Sequence, residues 1–335
     1  MPFQDSLQQE LIASIKKSLT FDVLYQRIRP DISTFIAATS KLPLKNLDDW
    51  ERLIRSEVSW PLQTSNPTRA KFDSHPIGSL TWLDICNADG FRRERALKIL
   101  SGGAPNSFLF ALAVRRLNDW VPQVREAARN ALPLIAEFSN PEIIVDVLFI
   151  TLPYWNSWGR MEEAEKNALV QIILMDKVAE PLKKRLMLSI SGPVATVFVQ
   201  AGLTSALDNF LTEIANSSVQ PSLRAKAYRC LFEGRFVWAE GVEWKWIDKV
   251  HGIKRRIPVL KERVIPVPRP FLENLRMATI DRSPMVRRIS GEMLIKKLDF
   301  IGDEALTLAK ILASDTSPSV AERGAYALAD LEKRE

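Results

Sequence analysis

Seven residues in one short stretch have the chemistry of a recognition surface. Trp238, Trp244, Trp246, Lys249, Lys254, Arg255 and Arg256 all fall within residues 235–270 of a 335-residue chain. Indole rings stack on flat partners, and Lys and Arg neutralise phosphates or carboxylates. Over 235–270, nine Lys and Arg stand against four Asp and Glu, a balance of +5 within a whole-chain net charge of +6. Val242, Trp244 and Trp246 alternate with Glu243 and Lys245, as the two faces of a strand do, and Gly241 and Gly252 supply turn points. The stretch reads as short antiparallel strands. The plainer reading of its Trp residues is that they pack this insert onto the rest of the protein. The sharper one is that they stack bases while the cations neutralise phosphates.

Other reactive side chains are sparse. Cys86 and Cys230 are the only cysteines, and His75 and His251 the only histidines. That excludes a disulfide framework and a cysteine-based zinc site, and the cysteines read as reduced core residues. Glu162, Glu163 and Glu165 cluster, as a general acid/base pair would. Carboxylates also gather at helix N-termini, where the macrodipole favours them, and that reading is preferred. Gly-x-Gly-x-x-Gly, Walker, Gly-x-Ser-x-Gly and His-Glu-x-x-His motifs are missing. The Gly-rich run from Ser101 to Asn106 lacks the Lys and Ser/Thr of a phosphate loop and reads as a turn. No catalytic, cofactor-binding or metal-binding residue is assigned, and the expectation leans away from an enzyme.

Composition is ordinary: 46% hydrophobic and 26% charged, with a pI near 9.3. The basic excess is modest and does not by itself imply nucleic acid. The most apolar run, Ile143–Leu152, is interrupted by Asp146 and is far shorter than the roughly 20 residues of a membrane helix. The first ten residues lack a basic region followed by an apolar one. A soluble cytoplasmic protein with no membrane partner is expected.

The elements that must position these residues emerge from an internal repeat. Asp119 is followed by Pro122, Val124, Arg125, Ala128 and Leu132; Asp281 by Pro284, Val286, Arg287, Ser290 and Leu294. The offsets coincide: Pro at +3, Val at +5, Arg at +6, a small residue at +9, Leu at +13. Asp315 opens a third copy with Pro318, Val320, Gly324 and Leu328, but Ala321 replaces the Arg. Ser218 opens a fourth with Pro221, Leu223, Arg224, Ala227 and Leu231. A weaker fifth runs Asn87, Gly90, Arg92, Arg93, Ala96, Leu100.

Each offset has a reason. Pro suits a helix's first turn, and Ser283 and Ser317 stand where N-caps stand. Residues +5, +9 and +13 share one helical face, and a small +9 residue admits a close neighbour. Apolar stretches precede the copies (Phe108, Ala111, Leu112; Leu207, Phe210, Leu211, Ile214; Leu306, Ala309, Leu312), so the unit is helix–turn–helix.

The Asp-x-x-Pro-x-Val-Arg-x-x-Ala signature resembles the second helix of HEAT repeats, over about 87–335. The resemblance implies an all-α, right-handed α-solenoid of HEAT-like hairpins, interrupted by the small β-rich insert near 235–270. It also implies that Asp119, Arg125, Asp281, Arg287 and Asp315 form an Asp–Arg ladder along the stack. Arg224 has no Asp in its own unit and the last unit has no Arg, so breaks are expected at both. Residues 1–78 read as a helical N-terminal cap and linker, with apolar faces at Leu7, Leu11, Ile15, Leu19 and at Leu47, Trp50, Leu53, Ile54, and with a loop over 59–78. Residues 79–335 read as the repeat array.

Two functional readings follow. The first is a non-enzymatic protein-binding module (a scaffold, an adaptor, or a neutralising or regulatory partner) using the solenoid surface and the basic insert. The second is a nucleic-acid-binding protein related to HEAT-like alkylpurine DNA glycosylases, whose motif does not map residue by residue onto this chain. Oligomeric state is not legible.

Overall fold

The computed structural model describes residues 2–18, 21–22, 27–28, 32–64 and 81–333. Helix makes up 67% of the chain, in eighteen α-helices among the described residues. The chain divides between Val178 and Ala179 into two compact units.

The first unit begins with α1 (Pro2–Ser18), α2 (Ser33–Thr39) and α3 (Leu47–Thr64), with a minimal pairing of β1 (Phe21–Asp22) and β2 (Arg27–Ile28) between α1 and α2. Leu11, Ile15, Trp50 and Ile54 are buried, as their periodicity predicts. Leu19 lies outside the described residues. The expected loop over 59–78 is corrected in part: α3 runs on through Pro61 to Thr64. A proline removes one amide donor but need not end a helix, and Pro133 and Pro181 also sit inside helices. Residues 65–78, with His75, lie outside the described residues.

The repeat follows: α4 (Thr81–Asp84), α5 (Gly90–Ile99), α6 (Ser107–Arg115), α7 (Pro122–Phe138), α8 (Pro141–Thr151) and α9 (Glu163–Ile173). Helix α5 lies beside α7 and α7 beside α9, while α6 lies beside α8, so two layers form. Asn140 caps α8, its Oδ1 accepting from the Glu142 amide at 2.9 Å. The acidic cluster is a helix start: Glu165 accepts the Glu162 amide at 3.0 Å and pairs with Arg129.

In the second unit, α10 (Asp176–Leu188), which crosses the division, leads to α11 (Val194–Ala201), α12 (Leu211–Ser217) and α13 (Pro221–Glu233). Strands β3 (Arg235–Asp248) and β4 (Ile253–Val264) come next, then α14 (Phe271–Thr279), α15 (Pro284–Lys296), α16 (Leu298–Ile301), α17 (Glu304–Ala313) and α18 (Pro318–Glu332). Helices α13, α15 and α18 lie side by side, and α14 lies beside α17. The repeat positions form the core: Val124, Ala128, Leu132, Val286, Ser290, Leu294, Leu223 and Ala227 are fully buried. At +9 of the last unit, a Cβ on Gly324 would sit 2.1 Å from the Ala313 amide nitrogen, so the close approach expected there is real.

The Asp and Arg residues obey one rule. Each Arg donates Nη1 to the carbonyl six residues before it: Arg93 to Asn87 (2.8 Å), Arg125 to Asp119 (3.0 Å), Arg224 to Ser218 (2.8 Å) and Arg287 to Asp281 (2.8 Å). In three of the four, Nε and Nη2 then fork onto the Asp that opens the next copy. Arg93 holds Asp119 (3.0 and 2.7 Å), Arg224 holds Asp281 (2.8 Å both) and Arg287 holds Asp315 (2.5 and 2.9 Å). Each Asp also accepts the amide two residues on, from Val121, Ser283 and Ser317, closing the turn before its helix.

This corrects the expected breaks. Arg224 needs no Asp in its own unit, because its partner belongs to the following one. The last unit has no Arg, yet its Asp315 is held by Arg287 of the unit before it. The gap falls instead at Arg125, whose buried Nε has no partner among the described residues. Ser283 caps α15 through the Met285 amide. Ser317 does not cap α18; its hydroxyl lies 3.3 Å from that of Ser319 instead.

Candidate functional site: an exposed hairpin and an arginine-lined cleft

Strands β3 and β4 pair antiparallel along their whole length. Ser218 and Asp281 are 63 residues apart, and without the 30 residues of 235–264 the spacing is 33. Other copies are 32 (Asn87 to Asp119) and 34 (Asp281 to Asp315) apart. The hairpin is therefore an insertion between α13 and α14 that leaves the repeat in register, and the Arg224–Asp281 fork closes across it.

Gly234, with φ +64°, caps α13 in the left-handed conformation and turns the chain into β3. The root is anchored. Phe236 is fully buried against Phe198, with ring centroids 5.0 Å apart. Arg263 donates to Asp208 (2.8 and 2.6 Å) and to the carbonyl of Gly202 (2.7 Å). A Cβ at Gly202 would lie 1.9 Å from the Phe236 ring. Gly202→Ala should therefore unseat the root at a cost of about 1–3 kcal/mol. Hydrogen exchange should then quicken in β3 and β4 while the α17–α18 amides keep their protection.

Beyond the root, the hairpin is bare on both faces. Val242, Trp244, Ile247, Val250, Ile253 and Leu260 are all more than half exposed. Trp244 is 63% exposed and Trp246 44%. Trp244 faces Arg256 and Trp246 faces Lys254 across the ladder. Lys254 Nζ lies 4.0 Å and the Arg256 guanidinium 5.4 Å from the corresponding ring centroids. Lys245 and Arg255 pair on the opposite face, and Lys249 is exposed in the turn at the tip.

Trp238 is not with the other two. The register slips between Ala239 and Gly241, a β-bulge that reverses which side chains share a face. Trp238 therefore falls on the face of Phe236 and Arg263 and is half-buried. In the tip turn, His251 bonds Asp248 at 2.6 Å. Both cysteines are buried, and burial pushes each thiol up to about 12.

A second site, in the first unit, escaped the sequence reading. A cleft of about 420 Å³ is lined by six arginines (52, 55, 93, 115, 116 and 160) with Asp48, Glu51, Asp119, Trp120 and Trp158. Its frame is two buried carboxylates. Glu51 accepts from Arg55 (2.7 Å), Arg115 (3.0 Å) and Arg116. Asp119 accepts from Arg93 and, at 2.9 Å, from Arg116. Burial disfavours charge on both Arg116 and Asp119. The opposing partners win: Glu51 above all holds Arg116 above its ordinary range, and hydrogen bonds from Arg93 and the Val121 amide hold Asp119 below its own. The Arg160 amide donates to Asn118 Oδ1 at 2.9 Å, and its guanidinium lies 3.2 Å from the Trp120 ring centroid. The available signal was Arg115-Arg116 just ahead of Asp119-Trp120, but α3, Arg93 of α5 and the turn before α9 supply the rest from elsewhere in the sequence.

Among the described residues no group of three or more His, Cys, Asp and Glu is placed to hold a metal, and no helix is long and apolar enough to cross a membrane. No protein-family model matches this chain, and no curated protein matches it.

Proposed function

We propose that this chain is a HEAT-type right-handed α-solenoid that acts as a non-enzymatic protein-binding module, with the β3–β4 hairpin as its contact arm. The repeat in register and the inter-unit Arg–Asp forks support the solenoid. The bare outer hairpin supports the binding role. A two-stranded hairpin alone is at best marginally stable in water, and this one keeps two Trp and several aliphatic side chains in solvent. Exposed apolar groups framed by polar ones mark contact surfaces. Residues 235–264 hold eight Lys and Arg against four Asp and Glu, so the partner surface is acidic as well as apolar.

The test is a triple charge reversal: Lys254→Glu, Arg255→Glu and Arg256→Glu. The partner that co-purifies stoichiometrically with the wild type should be lost, while stability changes by no more than about 1–2 kcal/mol through the two broken cation–π contacts. Retention of that partner by the reversed variant would sink the proposal. The paired Trp and cations on one face also favour a second reading, single-stranded nucleic acid. Binding of an oligonucleotide that weakens steeply with salt, and is lost in the same variant, would replace the first reading with the second.

A further inference from the structure

The hairpin does not account for the cleft in the first unit, which has three separate properties of a ligand site. The first is charge. Its lining carries six guanidinium groups against three carboxylates, Asp48, Glu51 and Asp119. Glu51 is only 4% exposed and already serves three arginines. A carboxylate shared this way fixes the guanidiniums in place without neutralising them, so a positive potential faces the opening. The second is a ring platform. Trp120 stays 78% exposed although Arg160 lies on it, and Trp158 lines the same cleft. An indole left in solvent at the mouth of a polar cleft has a face to offer a planar ligand. The third is size. The volume falls in the range of small-molecule sites, about 300–1,000 Å³.

We propose that this cleft binds a nucleotide, its phosphates taken by Arg160 and by Arg52, which gives up an exposed pairing with Asp49, and its base stacked on Trp120 or Trp158. Guanidinium forks match phosphate oxygens in pairs, and an excess of fixed positive charge matches a polyphosphate better than a single carboxylate. Arg93 and Arg116 are positioning residues. They are buried, and their donors are committed to Asp119, Glu51 and backbone carbonyls; Arg55 acts with them, held by Glu51 and the Cys86 carbonyl. The ligand class can come from two sources, a free nucleoside polyphosphate or a nucleotide within a single strand.

The experiment titrates the full chain at low salt with ATP, with pyrophosphate and with a short oligothymidylate, reading Trp emission and the polarisation of labelled ligands. ATP should quench Trp emission saturably and pyrophosphate should compete. Arg160→Ala, Trp120→Ala and Arg52→Glu should each weaken binding about tenfold or more. These three side chains lie at the mouth of the cleft, and Arg52 is 74% exposed, so melting temperature should hardly move. Oligothymidylate binding without ATP binding, lost in the same variants, assigns the site to nucleotides in a strand. Failure of both ATP and the oligonucleotide to bind, or binding that survives all three substitutions, overturns the proposal.

Discussion

Arg224→Ala should cost about 3–5 kcal/mol, and Arg125→Ala only about 1 kcal/mol, although both occupy the same offset of the same repeat. Arg224 is fully buried and satisfies three groups at once: Asp281 and the carbonyls of Ser218 and Val219. Removing it strands a carboxylate that is only 7% exposed. The penalty comes from that orphaned charge more than from the bond energy of the fork. Among the described residues Arg125 holds only the Asp119 carbonyl, so its loss removes a single hydrogen bond. In a unit of this size the larger cost corresponds to a fall in melting temperature of roughly 6–20 °C. Urea denaturation of the two variants side by side checks the contrast. Equal losses would mean that the forks between units are not what stabilises this arrangement.

Leu294→Asp, and likewise Val124→Asp, should unfold its unit or cost more than about 4 kcal/mol. Both side chains are completely buried at the +13 and +5 positions of their helices. Arg287 on the same helix and Arg224 on the neighbouring one are already committed to Asp315 and Asp281. The carboxylate would either stay charged without a partner or take up a proton at great cost. Leu294→Met, which keeps volume and polarity, should lose less than about 1.5 kcal/mol. Denaturation midpoints for the pair separate a burial effect from a general intolerance of change. A mild effect of Leu294→Asp would show that the inner face of α15 reaches solvent.

The sequence by itself determined what depends on neighbours within a turn or two. The helices that open at Pro122, Pro221, Pro284 and Pro318 were legible because a proline and an apolar face at +5, +9 and +13 are local signals. The strands of 235–264 were legible from alternation and from Gly252 at the turn; Gly241, read as a second turn point between short strands, lies inside β3 opposite Val259. The acidic cluster at Glu162–Glu165 was legible as a helix start, and it is one.

Tertiary structure decided what depends on partners far along the chain. Which Asp each Arg holds could not be read within a unit, because the fork crosses to the next one, so Arg224 looked orphaned and is not. Trp238 was grouped with Trp244 and Trp246 as one recognition set, but the extra residue at the bulge puts it on the other face. Exposure of Trp244 and Trp246 rests on what does not pack against them, and no local pattern records that. The cleft gathers Glu51, Arg116 and Arg160 from three segments separated by dozens of residues, and each one alone reads as an ordinary surface charge. Periodicity reports which face of an element is buried. Only the assembled chain reports which charges share a cavity and which rings are left in water.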